Sequence, residues 1–385
     1  MVDDGTNRSD GAAPQPGWRS GRVLAVVVVV LVLGVGIGVG GVKAVHALRD
    51  APAPASPSVA QASAGYGLDS PTAAAVSGSH VFVANQAGDS VTVIDAVTGA
   101  HVATVSGPSF GFDRPAGLAA VGPDLFVANG GDSVTEIDAD SRSLVRVVSG
   151  SPYRFSDPIA ITSATGGGSA AGDPPGATPP EVFVLSSDGS VTAISAVTGA
   201  LVDTVPGSAL GITSPGGLAV GGGRVFVTDR DRNSVTVLDE HTLAPVTVLD
   251  DPRYKFRTPT GIVVHGGTVW VANAGGDSVT EFSLATNQVV RVVVDHTNLP
   301  TPGPVTAGDG YVFTLSPPGD SPMVSQIEPS TGKVAWMMCN TNGPYLLSNP
   351  QALVAAGSDL WVVNKDGNSL TQMDSDSGAL IRTIS

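Results

Sequence analysis

Cysteine is almost absent: the 385-residue chain holds one, Cys339. That excludes an intramolecular disulfide framework and a cysteine-rich zinc site. Charge is sparse, at 14 % of residues against a usual ~25 %. Cations are the scarcer sign, with 19 Lys and Arg against 34 Asp and Glu and a net charge of −15. A nucleic-acid binder normally carries a basic footprint, so that class is excluded. Glutamate is scarce, and no His-x-His, His-Glu-x-x-His or Gly-x-Ser-x-Gly arrangement occurs. The metallohydrolase and serine-hydrolase signatures are therefore missing. Glycine-rich pieces such as Gly221-Gly222-Gly223 lack the strand–loop–helix context of a phosphate cradle and read as turns. What the chain has in quantity is glycine (49), proline (29) and valine, the composition of a tightly turned, strand-rich fold.

The first 64 residues read differently from the rest. Residues 1–22 are polar and rich in Gly, Pro, Asp and Arg, and are expected to be a disordered cytoplasmic tail. Val23 to Val42 form 20 residues without a charge, enough at ~1.5 Å per residue to cross the ~30 Å hydrocarbon core. Arg8, Arg19 and Arg22 precede this span, which favours a cytoplasmic N-terminus and an extracytoplasmic C-terminal part. The alternative is a signal peptide cleaved near Val45-His46-Ala47 and a secreted product; the apolar run exceeds the ~7–15 residues of a signal core, which favours an anchor. Gly34-x-x-x-Gly38 and Gly36-x-x-x-Gly40 would allow a weak helix dimer, although glycine is common in membrane spans. Residues 43–64, with Pro52, Pro54 and Pro57, read as an extended spacer.

From residue 65 onward the chain repeats. An aromatic between aliphatics recurs at Phe82, Phe126, Phe183, Phe226, Trp270, Phe313 and Trp361, at spacings of 44, 57, 43, 44, 43 and 48 residues. The long spacing contains residues 165–180, rich in Gly, Ala and Pro, which read as an inserted loop. Each unit divides into four short strands. The first follows a proline, as in Pro115-Ala-Gly-Leu118 and Pro259-Thr-Gly-Ile262; a strand entrance does not need the missing N–H. The aromatic run is the second, Ser90-Val-Thr-Val-Ile94 and its kin the third, and Val102-Ala-Thr-Val105 and its kin the fourth. Gly-Asp or Gly-Asn joins the second and third, residues that tolerate the positive φ of a hairpin. The strands are apolar on both faces, so every sheet needs a layer above and below. Seven sheets arranged radially provide that, whereas a sandwich leaves one face polar. The expected fold is all-β: a seven-bladed β-propeller of four-stranded antiparallel blades over residues 65–385, preceded by one N-terminal transmembrane helix. The first strand is innermost in blade 1 and Leu380–Ile384 outermost in blade 7. No blade then draws strands from both chain ends, and closure rests on packing of blade 1 against blade 7.

His80-Val-Phe-Val-Ala-Asn85, Asp89-Ser-Val-Thr-Val-Ile-Asp95, Thr98-Gly99 and Val102-Ala-Thr-Val105 together resemble the YVTN-type propeller repeat, with NHL-type and streptogramin-lyase-like propellers as neighbours. The resemblance covers all seven units. It implies the fold, and a family whose members serve surface binding, scaffolding and catalysis alike.

The acids fall at repeat positions. Asp95, Asp138, Asp239, Glu328 and Asp374 end the third strand with Ser or Thr three residues on, the chemistry of a tight turn, and Asp89, Asp132, Asp277 and Asp320 sit in the other hairpin. No loop has the several adjacent carboxylates of a calcium site, and no metal or cofactor is called for. His80 and His265 lie near equivalent hairpins four blades apart; a lyase-like or lactonase-like enzyme, the alternative function, would need His and Glu clustered on one face. Glu136 and Glu281 occupy matching third-strand positions and read as a partly solvated strand face. Cys339 reads as a buried small hydrophobe.

The candidate binding face lies where the blade-to-blade connections meet the hairpins between the second and third strands. An aromatic or aliphatic pair recurs there, including Tyr66-Gly-Leu68, Phe110-Gly-Phe112, Tyr153-Arg-Phe155 and Tyr254-Lys-Phe256. This face holds 8 of the 14 cations after residue 50. Arg114, Tyr153, Arg154, Arg230, Arg232, Arg253, Tyr254, Lys255 and Arg257 are the candidate partner-binding residues, densest on blades 4 and 5. The competing reading of the aromatic pairs is that they plug the gaps between blades. The expected function is an extracytoplasmic, membrane-anchored propeller that binds or scaffolds a protein, peptide or glycan in the cell envelope.

Overall fold

A computed structural model describes residues 65–164, 180–316, 322–339 and 347–385. The expected tail, anchor and spacer (1–64) and nearly all of the insert (165–180) lie outside the described residues, as does Asp320. Among the described residues, no helix is long and apolar enough to cross a membrane.

Strands and turns alternate as the repeat dictates. Seven four-stranded antiparallel sheets follow one another, each with its strands in sequence order, over residues 71–106, 115–149, 158–205, 215–249, 259–294, 305–339 and 350–384. The prolines Pro71, Pro115, Pro158, Pro215, Pro259 and Pro350 open the first strands as expected. Cys339 closes the last strand of blade 6, Lys333–Cys339, opposite Met323; its side chain lies outside the described residues.

The period-2 geometry of a strand sends successive side chains to opposite faces. In His80–Asn85, Phe82 and Ala84 pack toward blade 2, while Val81 and Val83 pack toward blade 7. Blade 7 repeats the division: Leu360 and Val362 face blade 6, and Trp361 and Val363 face blade 1. The described residues thus form seven buried clusters, one at each seam. Each fully buried aromatic or branched side chain contributes about 1.5–3 kcal/mol. The ring closes as expected, by the same packing that joins any two neighbours. Blade 7 draws all four strands from residues 350–384. Polar contacts reinforce the closing seam: Gln372 Nε2 donates to Ala96 O, Arg382 Nη2 to Val97 O and Lys365 Nζ to Gln86 Oε1.

The repeated Asn and Ser-Val-Thr have a joint structural role. Asn85 Nδ2, at the end of the second strand, donates to Ser90 Oγ (3.1 Å) and Thr92 Oγ1 (2.9 Å) of the third. Asn129 and Asn273 repeat both bonds, and Asn364 repeats the one to its threonine. The threonine hydroxyl in turn donates to a carbonyl of the incoming connection: Thr92 to Tyr66, Thr135 to Phe110, Thr280 to Tyr254. These side chains are fully buried, where a lost partner leaves an unsatisfied group costing ~1–3 kcal/mol.

The hairpin acids do more than turn the chain. Asp89, Asp132 and Asp277, at φ of 41°, 61° and 44°, each accept the backbone N–H that precedes the next blade: Arg114 N (2.8 Å), Asp157 N (2.6 Å) and Thr301 N (2.8 Å). Asn233 and Asn368 make the same bond to Thr258 N and Ser70 N. Asp132→Ala should therefore lower unfolding free energy by about 1–2 kcal/mol, through loss of the charge-assisted bond and of the polar side chain that makes the left-handed backbone tolerable. Asp132→Asn should stay near wild type, as Asn233 and Asn368 do the same work. Urea unfolding of the pair, with Asp132→Gly to isolate the backbone strain, checks this.

Candidate functional site

The two ends of the ring are chemically distinct. At one end the hairpins between second and third strands meet the blade-to-blade connections. At the other lie the hairpins between first and second strands and the turns between third and fourth.

The aromatic pairs belong to the seams. Phe110 and Phe112 stack at 5.5 Å, Tyr153 and Phe155 at 5.5 Å, and Tyr254 and Phe256 at 5.0 Å, all nearly parallel and packed into the cluster between the blades they join. The tyrosine hydroxyls run down the seam to the far turns: Tyr66 to Gly99 O, Tyr153 to Gly199 O and Tyr254 to Asn287 O. The plugging role accounts for Tyr254, which is buried, and for most of Tyr153.

The cations divide into those spoken for and those free. Arg114 donates Nη2 to Gly130 O at 2.6 Å and lies 3.4 Å from both Asp113 and Asp157. Arg232 donates Nη1 to Gly211 O, and Arg253 pairs with Asp251 at 2.9 Å. Arg154, Arg230, Lys255 and Arg257 are exposed, with no polar side-chain partner among the described residues. Arg230, Arg232 and Arg257 come together because the Asn233–Thr258 bond ties the blade 4 hairpin to the strand entrance of blade 5, while Gly275 N donates to Arg257 O. Arg154 stands two seams away, and Arg114 one seam further.

The far end holds what the sequence reading placed wrongly. Glu136 and Glu281 are not on a solvated face: they are 1 % and 4 % exposed. Each faces an arginine of the fourth strand, Arg146 Nε at 3.0 Å and Arg291 Nε at 2.7 Å. Burial pushes the Glu136 carboxyl up to about 7, against the pull of Arg146 and with a further push from Asp124. Burial raises Asp124 and Glu281 as well. Alternation along a strand says which face a residue takes, not whether the seam at that height is filled. Two cavities open at these positions. One, of about 540 Å³, lies between blades 2 and 3 and is lined by Asp124, Glu136, Arg146 and Ala196 among apolar residues. The other, of about 510 Å³, lies between blades 5 and 6 and includes His265, Glu281, Asp309 and Glu328.

The acids ending the third strands behave as turn residues. Asp95, Asp138, Asp239 and Asp374 each accept a backbone N–H and a hydroxyl from the Thr or Ser three residues on, and Glu328 accepts the Thr331 hydroxyl; these bonds hold all five below the usual carboxylate range. Among the described residues, no three His, Cys, Asp or Glu side chains are grouped to hold a metal ion. His and Glu come together at the blade 3–4 seam, where Glu240 and His241 act electrostatically on Glu181, and in the blade 5–6 cavity, which His265 lines with Glu281 and Glu328.

Residues 162–383 match the family model described as outer membrane protein assembly factor BamB. The match spans more than half of the chain, from the first strand of blade 3 to the last of blade 7, and the chain belongs to that family. No curated protein matches it. Among solved structures, the crystal structure of the computationally designed Ika8 protein aligns with a TM-score of 0.54 at 16 % identity, over 79 % of this chain and 96 % of that one. At that identity the likeness concerns the fold alone.

Linkage fixes the sign of one pH effect. Glu136 binds its proton more tightly folded than unfolded, so between about pH 4.5 and 7 its contribution to stability falls as pH rises. Glu136→Gln removes this term, and Arg382 shows that the strand-four arginine sits stably beside a glutamine, Gln372. The variant should gain stability relative to wild type between pH 5 and 8, by on the order of 2 kcal/mol. Thermal melts of both proteins at the two pH values measure it.

Proposed function

We propose that this chain is an envelope propeller that binds a protein partner through the hairpin end of blades 4 and 5. In this reading residues 23–42 anchor it in the membrane as a single pass, residues 43–64 space it from the surface, and the propeller stands outside the cytoplasm. The YVTN-like repeat supplies the frame. One observation carries the reading: Arg230, Lys255 and Arg257 are exposed cations without acid partners among the described residues, whereas Arg114 and Arg253 on the same end are paired with acids. Loops on a rigid frame are where binding residues concentrate, and arginine is enriched among binding anchors. The family name refers to outer membrane protein assembly, which favours a protein over a peptide or glycan as the partner.

A second reading, a lyase-like or lactonase-like enzyme, is favoured by the Glu181–Glu240–His241 grouping at the opposite end. Lactone hydrolysis by the purified chain that His241→Ala abolishes would support it.

The binding reading is tested by capture from envelope extracts on immobilised wild-type chain and on the Arg230→Ala/Lys255→Ala/Arg257→Ala variant. A partner retained by the wild type should fall by roughly tenfold on the variant. Equal retention removes this face from consideration.

A further inference from the structure

One seam shows how the far end is normally filled. In blade 7, Gln372 Nε2 donates to Asp359 Oδ2 at 2.7 Å and, across the seam, to Ala96 O at 3.1 Å. Gln326 of blade 6 likewise donates across its seam, to Ser375 O. A side-chain amide thus supplies donors at these two seams, to two acceptors in blade 7 and to one in blade 6.

Blade 2 has the same acceptors and no amide. Asp124 opens its second strand as Asp359 does in blade 7, and Glu136 holds the register of Gln372: Phe126 pairs with Glu136 as Trp361 pairs with Gln372. Ala196 follows the third strand of blade 3 as Ala96 follows that of blade 1. All three line the cavity of about 540 Å³. Arg146 does not replace the amide. Its Nη2 donates to Val197 O, just as Arg382 Nη2 donates to Val97 O in the seam where Gln372 is also present. Glu136 Oε2 lies 3.0 Å from Arg146 Nε, yet no hydrogen bond from the described residues is aligned on it. Glu136, nearly fully buried, and the second acid Asp124 therefore line one cavity with Ala196, where Arg146 is the charged neighbour of Glu136 and, among the described residues, no side-chain amide takes the place of Gln372. Ala120, Val121, Pro123 and Val145 supply an apolar stretch of wall, and Ser163, whose hydroxyl donates to Ala120 O, also lines the cavity.

We propose that the cavity between blades 2 and 3 binds a primary alkylammonium group, the nitrogen taking the place that the Gln372 amide nitrogen takes in blade 7 and the alkyl stem lying on the apolar wall. An ammonium brings three N–H donors, one for each acceptor. The cavity between blades 5 and 6 differs: Thr268 stands where Asp124 does, and its hydroxyl donates to His265 O.

Isothermal titration of the full chain in detergent with n-butylammonium chloride tests this, with 1-butanol as the neutral control. Saturable binding of the ammonium alone is expected. It should strengthen between pH 6 and 8 as Glu136 ionises, and weaken by at least about tenfold in Glu136→Gln, about 1.4 kcal/mol. That variant folds by precedent, since glutamine occupies this register in two other blades. Glu281→Gln should leave binding unchanged. Repeating the titration with Nα-acetyl-lysine methylamide separates the sources: binding of both assigns the cavity to a partner's lysine side chain, and binding of butylammonium alone to a free small amine. No saturation at millimolar ligand, equal binding of butanol, or undiminished binding in Glu136→Gln would overturn the proposal.

Discussion

Each sheet in this protein is apolar on both faces, and every other feature follows from having to cover both. Phe82 and Val83 are neighbours in one strand, yet they belong to different seams. A single blade would leave half of its buried side chains in water, and a pair would leave two outer faces. Only a closed ring covers them all, and the seam between blades 7 and 1 is built like the rest. Closure needs no strand exchanged between the chain ends because Trp361 and Val363 meet Val81 and Val83 as Phe82 and Ala84 meet Leu125 and Val127.

Polar groups then decide how the seams are held in register. Buried Asn ties the second strand to the third in blades 1, 2, 5 and 7, buried Thr pins the incoming connection in blades 1, 2, 3 and 5, and hairpin Asp or Asn fastens blades 1, 2, 4, 5 and 7 to the next. At the other end, arginines of the fourth strand lie across turn glycines that no Cβ would fit: Arg146 against Gly199, Arg291 against Gly332 and Arg382 against Gly99, all three glycines at φ near 70°. Many of the acids that make the chain so negative are thus structural, satisfied by backbone N–H or hydroxyl donors of their own turn or of the entrance to the next blade. The excess of negative charge says little about partners. The groups left over among the described residues are more informative: a few free cations at one end, and a buried glutamate beside a half-buried aspartate at the other.

The two candidate sites differ in how visible they were. Arg230, Lys255 and Arg257 are exposed loop residues, and their clustering follows from loop order alone, so they stood out in the sequence. Tyr153 and Tyr254 stood out as well, but their recurrence reflects packing, and their rings fill seams. Glu136 was visible as an oddity, a glutamate where other blades have Val, Ala or Gln. Its burial and its convergence with Asp124 and Ala196 were not, because they depend on contacts between residues 60 positions apart and on the seam being unfilled at that height.

The sequence by itself determined the number of blades, the four strands in each, their boundaries at proline and Gly-Asp pairs, and the order in which the ring closes. These rest on local rules: alternation, turn chemistry and a repeat of fixed length. Only the tertiary structure decided which repeated acids clasp a neighbouring blade, which cations remain free and which carboxylates lie in a cavity. Those properties arise between blades, where the distance and desolvation of a group are set by residues that no local pattern connects.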